Sequence, residues 1–299
     1  MRIISINLIL LLCFPLVADH HQINKTPKKS SKVKVSVTEV SKNIHMLSTR
    51  GGNIGMSTGS DGILLIDSQF LNINKKIRAK IRKIAKGPIK FLINTHFHGG
   101  HTGSNAKLGK KSIIVAHENV KKRLSEDQLL KLSQKTAKKQ SKSRIPTVTF
   151  RDAIKIHFND QEIEILHFAK GHTDGDSIVL FHGSQVAHLG DHFFAGKFPF
   201  IDMNAGGDVL QYHRNVKDIL KIIPPHYKII PGHGPLSSHA DYIFYEQMIS
   251  DSIEHIKDEK NIGTDIGKIT LAKVITKFKG VDKGLVSEKF WIKLIMDSL

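Results

Sequence analysis

Between Val33 and Gln69 apolar residues come in short β-rich runs, "VKVSVTEV", "IHMLST", "NIGMSTGS" and "GILLIDSQ", separated by Gly, Asn and Asp. That punctuation predicts consecutive antiparallel strands joined by tight turns. The period then changes: in "INKKIRAKIRKIA" Ile73, Ile77, Ile81 and Ile84 recur at helical spacing, and Gly87-Pro88 ends the run, as a helix stop should. "IKFLINT" follows as a buried strand. Strand, helix, strand makes a βαβ unit, whose functional loops lie at the carboxyl ends of the strands.

Farther on, "SIIVAHENVKKRL" predicts a strand leading into a helix, and "SEDQLLKLSQKTAKKQSKSRIP" a charged helical or flexible insert. From Thr147 the β signal returns in "VTFRDAIKIHF", "QEIEILHF", "DSIVLFHG" and "QVAHLGDHFF". "DVLQYHRNVKDILKII" is an amphipathic helix ended by Pro224-Pro225, "YKIIPGHG" a strand and loop, and the chain from about Asp241 onward is mainly helical. Strands and helices followed by strands and helices again predict an α/β fold of two similar halves, sheets face to face and helices outside.

The amino-terminal pattern is of another kind. In "MRIISINLILLLCFPLVA" one basic residue, Arg2, precedes an apolar run from Ile3 to Phe14 and small residues ending at Ala18, which reads as a secretory signal peptide cleaved after Ala18. An uncleaved anchor is the alternative, but the run is short for a span and Pro15 interrupts it. Leu12 stands where a lipoprotein cysteine at Cys13 would need a small residue. Cleavage would remove the only cysteine, so the exported chain is expected to have no disulfide and to bind any metal through His and carboxylates. Residues 19–32, polar and basic with a proline, read as a disordered spacer before order begins near Val33.

The formal charge is +18, and without Arg2 there are 44 basic against 27 acidic residues. Between Lys107 and Arg144 twelve Lys/Arg meet three acids, a basic segment that suits nucleic acid, an anionic surface or steering of acidic substrates. No stacking aromatics are interleaved and no nucleic-acid motif appears, so a solvated surface is the preferred reading and the expected partner is a small-molecule substrate.

The chemistry concentrates in "NTHFHGGH". His96 and His98 alternate at the end of a predicted strand and His101 lies one turn on, a pattern of neutral imidazoles suited to zinc. Three loops recur at equivalent strand ends, "GHTDGDS" with His172, "LGDHFF" with Asp191 and "IPGHGP" with His233. In this order the residues resemble the metallo-β-lactamase superfamily, whose pattern is HxHxDH, then His, Asp and His; the resemblance covers roughly Val33 to Tyr245. "HTDGDS", "GDHFFAGKFPFID" and "IPGHGP" are closer still to exported members, as is the tail "VDKGLVSEKFWIKLIMDSL". The resemblance implies an αββα sandwich over 33–245 with a helical extension, 246–299, packed on it. It also implies that His96, His98 and His172 hold one metal, that His101 and His233 hold a second, and that Asp191 bridges them and takes the proton in hydrolysis.

Gly100 departs from the pattern, since the family has a metal-binding aspartate there. The first site stays whole, and the second keeps two histidines and a shared carboxylate, so one or two zinc ions are expected with weaker occupancy of the second. Three readings stay open: a hydrolase of ester, lactone, thioester or lactam-type bonds, an impaired metal- or ligand-binding homologue, and a nuclease or polyanion binder. If Gly100 marks an impaired homologue, restoring Asp should switch hydrolysis on. Asp174 and Asp176 read as turn residues or partners of a histidine rather than replacement ligands. His188 and His192 are candidates for contacts around the site. His117, His157, His167, His182 and His213 read as surface residues, and His20 and His21 as a weak amino-terminal metal contact.

Overall fold

In Leu64 and Ile66 side chains face one way and in Ile63 and Leu65 the other, yet all four are buried. A strand buried on both faces needs a layer on each side, and the computed structural model supplies them. It describes residues 33–130, 135–278, 281, 284 and 286–299. The proposed leader and spacer lie outside the described residues.

Strands β1 (Ser36–Ser41), β2 (Ile44–Thr49), β3 (Gly52–Gly59) and β4 (Gly62–Ile66) form an antiparallel meander. Helix α1 (Asn74–Ile84) then crosses over to β5 (Ile89–Ile93), parallel to β4, as the isoleucine spacing predicts. Two short helices follow the histidine loop, α2 (Gly99–Thr102) and α3 (Asn105–Leu108), before β6 (Ile113–His117) and α4 (Glu118–Ser125).

The insert departs from expectation. Instead of a helix it carries a two-stranded antiparallel hairpin, β7 (Gln128–Leu130) with β8 (Lys135–Ala137). Its base is closed by the Asp127 carboxylate, which accepts from Lys138 Nζ and from the Lys139 backbone N–H, both at 2.8 Å. The run "VTFRDAIKIHF" also divides: β9 (Val148–Phe150) is the edge of the first sheet, and β10 (Ala153–Phe158) begins the second.

The second sheet continues with β11 (Gln161–His167), β12 (Ser177–Phe181) and β13 (Val186–His188), crosses through α5 (Val209–Ile222) to parallel β14 (Lys228–Ile230), and ends at β15 (Ser237–Ser238). Helices α6 (His239–Asn261), α7 (Ala272–Lys277) and α8 (Glu288–Ser298) complete the described chain. Between the sheets pack Leu64, Ile66, Ile93 and Val115 from one and Ile163, Ile165, Val179 and Ile230 from the other. The opposite faces pack against α1 through Ile77 and Ile81, and against α5, α6 and α8 through Tyr212, Tyr242, Ile249 and Trp291. The result is the expected αββα sandwich. No helix among the described residues is long and apolar enough to cross a membrane.

Trp291 is wholly buried and stacks on Phe198, 6.1 Å between ring centroids. Trp291→Ala should therefore lower the unfolding free energy by about 3–5 kcal/mol in urea titrations, and a loss under about 1 kcal/mol would show α8 to be dispensable.

Candidate metal centre

Every predicted ligand sits just past the carboxyl end of a strand. β5 delivers His96, His98 and His101, the turn before β12 delivers His172, the loop after β13 delivers Asp191, and the loop after β14 delivers His233. Because β4, β5, β13 and β14 end at the same edge of the facing sheets, six residues far apart in sequence converge.

His172 Nε2 lies 2.8 Å from His98 Nδ1, and the two with His96 form one cluster of candidate ligands. Asp191 Oδ2 lies 3.7 Å from His96 Nε2 and 3.4 Å from both His172 Nε2 and His233 Nε2, while Oδ1 lies 3.4 Å from His101 Nε2. His96 Nε2 and Asp191 Oδ1 are buried with no hydrogen-bond partner among the described residues. Atoms held tetrahedrally about 2.1 Å from a zinc ion stand about 3.4 Å apart, so these spacings fit a metal better than they fit hydrogen bonds.

The far ring nitrogens are anchored, which fixes how each imidazole points inward. His96 Nδ1 meets Thr95 Oγ1 at 3.1 Å, His98 Nε2 meets Asp202 Oδ2 at 2.9 Å, and His172 Nδ1 meets the Phe200 carbonyl at 2.5 Å. His101 Nδ1 meets Asp67 Oδ2 at 2.6 Å, and the other Asp67 oxygen accepts the Thr95 backbone N–H at 2.8 Å.

Electrostatics divides the centre. Burial pushes His96 well below its usual range and His172 down to about 3, so both are neutral and ready to ligate. Burial also lowers His101, but the charges of Asp191 and Asp67 outweigh it and raise the imidazole to about 9. Burial alone would raise Asp191, yet His233, His101, His96 and His172 hold it well below the usual carboxylate range. His101 is thus a protonated link between two carboxylates, and it must lose that proton to bind a metal.

Gly100 is more than a missing carboxylate. A Cβ added there would lie 2.6 Å from the Gly51 carbonyl oxygen, so the backbone before β3 occupies the path an aspartate side chain would take. Gly232 is needed for a related reason: a Cβ there would collide with Asp191 Oδ1 and the Gly190 carbonyl.

Asp67 and Asp202 hold ligands in place but were given no role by sequence reasoning. Asp67 had a usable signal, an acid directly after the apolar strand "ILLI"; Asp202 depends on a loop whose path sequence does not reveal. Asp174 and Asp176 do not reach the centre. Asp174 pairs with Arg123 Nε at 2.6 Å, and Asp176 accepts from the Thr173 N–H at 2.8 Å. His188 and His192 are fully buried beside the centre, with His192 stacked on Tyr212 at 5.6 Å, and neither lines the cleft above it. His157 and His182 are exposed, and His213 is half-buried against Glu246. His20 and His21 lie outside the described residues.

His117 corrects the surface reading. It is buried at the end of β6, stacked 3.6 Å from the half-buried His167 at the end of β11, because the two sheets meet there. The cleft itself is walled by Phe70, Phe194, Phe198, Phe200, Lys197 and Val286.

A family model for the metallo-beta-lactamase superfamily matches residues 48–244. This chain belongs to that superfamily. Among solved structures, DIM-1 metallo-beta-lactamase is 17% identical with a TM-score of 0.59, over 74% of this chain and 100% of that one. The metallo-beta-lactamase from Pontibacter korlensis is 16% identical with a TM-score of 0.57, over 73% of this chain and 100% of the other. Metallo-beta-lactamase IND-7 is 15% identical with a TM-score of 0.58, over 74% and 100%. At such identities the likeness is one of fold. No curated protein matches the sequence.

Two outcomes follow. Burial, with His167 alongside, lowers His117 from 6.5 to about 4, so between those values the unfolded state binds the extra proton and stability falls as pH falls. His117→Asn keeps an acceptor for the Asn119 N–H that His117 Nδ1 now receives, and should flatten the loss of stability between pH 6.5 and 4 in urea titrations. An unchanged slope would show that this burial is not felt. Gly100→Asp should lower stability by about 1–3 kcal/mol and bring no second ion, because the turn at Gly51 must move first; a variant holding two ions at wild-type stability would contradict the geometry.

Proposed function

We propose that this protein is an exported zinc-dependent hydrolase that opens an ester, lactone, thioester or lactam-type bond. The observation that carries the reading is the convergence of His96, His98 and His172, near nitrogens together and far nitrogens anchored. A bound zinc would supply Lewis acidity, polarising a carbonyl-type oxygen and lowering the pKa of water to about 7.

The chain's own groups supply the rest. Asp191, kept ionised chiefly by His233 and His101, accepts a hydrogen bond from the attacking water and orients it, and takes its proton as the bond forms. Phe70, Phe194, Phe198 and Phe200 wall the cleft and offer an apolar surface to a substrate body. Asp67 clamps His101, and Asp202 clamps His98, so that neither ring turns away. The intact three-histidine cluster beside a protonated His101 favours one tightly held ion. Export rests on the leader-like sequence of residues 1–18.

The test is metal per chain by elemental mass spectrometry after dialysis at pH 7. One retained zinc is expected, lost in His96→Ala and kept in His101→Ala, together with hydrolysis of an ester or lactone panel that His96→Ala abolishes. No retained metal in the wild type would sink the reading, and metal without turnover on any panel member would favour the binding homologue.

A further inference from the structure

At the end of the first sheet opposite the histidines lies a second concave surface, a groove of about 770 Å³. Its floor is apolar, formed by Ile81, Ala85, Pro88, Ile89 and Leu108, and its rim is cationic, formed by Arg78, Arg82, Lys86, Lys107, Lys110 and Lys111. All six rim residues are exposed, and no acidic residue lines the groove. None of the six makes an ion pair with a described residue. Some lysines on other faces are paired, Lys155 with Glu162, Lys221 with Asp218, Lys277 with Asp251 and Lys293 with Asp297. Around this one groove six cations thus stand together with no acid to compensate them.

Two features extend the patch. The solvent face of α1 presents Lys75, Arg78, Arg82 and Lys83 with no acid anywhere in the helix. Beside Lys110 and Lys111, Ile113 exposes 44% of its surface at the start of β6.

We propose that this end of the sandwich binds the surface of an anionic phospholipid membrane, the rim taking phosphates and the apolar floor the glycerol and upper acyl carbons. Cationic side chains gain from the negative potential of such a surface, on the order of fivefold in affinity for each residue brought near it. A flanking apolar residue adds contact with the acyl boundary. Single-stranded nucleic acid fits less well, because no aromatic side chain lines the groove on which a base could stack. The strand β5 alone separates the groove from the histidine loop by roughly 13 Å, so a protein bound by this end presents its metal centre away from the membrane.

The test is co-sedimentation of the full chain with phosphatidylcholine vesicles, with and without phosphatidylglycerol. Binding should require phosphatidylglycerol and weaken with salt. Replacing Arg82, Lys86, Lys110 and Lys111 by Gln should weaken it by roughly 10²- to 10³-fold. The same number of replacements at Lys155, Lys170, Lys260 and Lys293, none of which lines the groove, should change it less than about threefold, since those side chains stay outside the reach of the surface potential. Thermal unfolding of both variants checks that each is folded. Equal loss in the two variants would mean that net charge alone acts, and overturns the site. So would no vesicle binding, or binding to duplex DNA without binding to vesicles.

Discussion

One carboxylate surrounded by imidazoles organises this molecule. Asp191 stays ionised in a buried setting because His233, His101, His96 and His172 are held around it; neighbours anchor His96, His101 and His172 by hydrogen bonds, and His233 stacks on Phe194. Behind it, Tyr212 on α5 donates to the Asp191 carbonyl at 3.1 Å and contacts Tyr245 on α6 at 2.7 Å, so the outer helices brace the loop that carries the charge. Unpaired, such a charge would cost several kcal/mol, which makes the ring of histidines and its anchors a single cooperative unit.

That unit is lopsided. On one side His96 and His172, both neutral, and His98 are aimed at a common point, as a metal requires. On the other, His101 bridges Asp67 and Asp191 as a cation, and the Gly51 carbonyl has closed the space beside Gly100. The absent aspartate is thus compensated: a proton on His101 and the turn at Gly51 fill the place where a second ligand set would need to be open. A changed centre describes this arrangement better than a damaged one, because the packing around Gly100 is complete.

The same sheet that gathers the histidines at one end leaves its other end free for a different chemistry. Parallel crossovers put loops at both ends of β4, β5 and β6. The carboxyl ends carry the ligands, and the amino ends, with the last turn of α1, carry the uncompensated cations. Helix carbonyls at the end of α1 favour positive side chains there, but a few residues would meet that need.

The strand and helix periods of "GILLIDSQ" and "INKKIRAKIRKIA", and the six polar residues that converge at one edge of the sandwich, were legible in the sequence, because each depends on local spacing or on a residue type with few other uses. The hairpin at Gln128–Leu130 and Lys135–Ala137 was not, since a carboxylate eleven residues away in the chain closes it rather than any local propensity. Nor were the burial of His117, the clamps at Asp67 and Asp202, or the carbonyl against Gly100. These are contacts between segments far apart in the chain, and whether a histidine is a neutral ligand or a clamped cation depends on burial and on neighbouring charges. Spacing along the chain names the candidates; only packing brings the charges within reach of one another and decides their states.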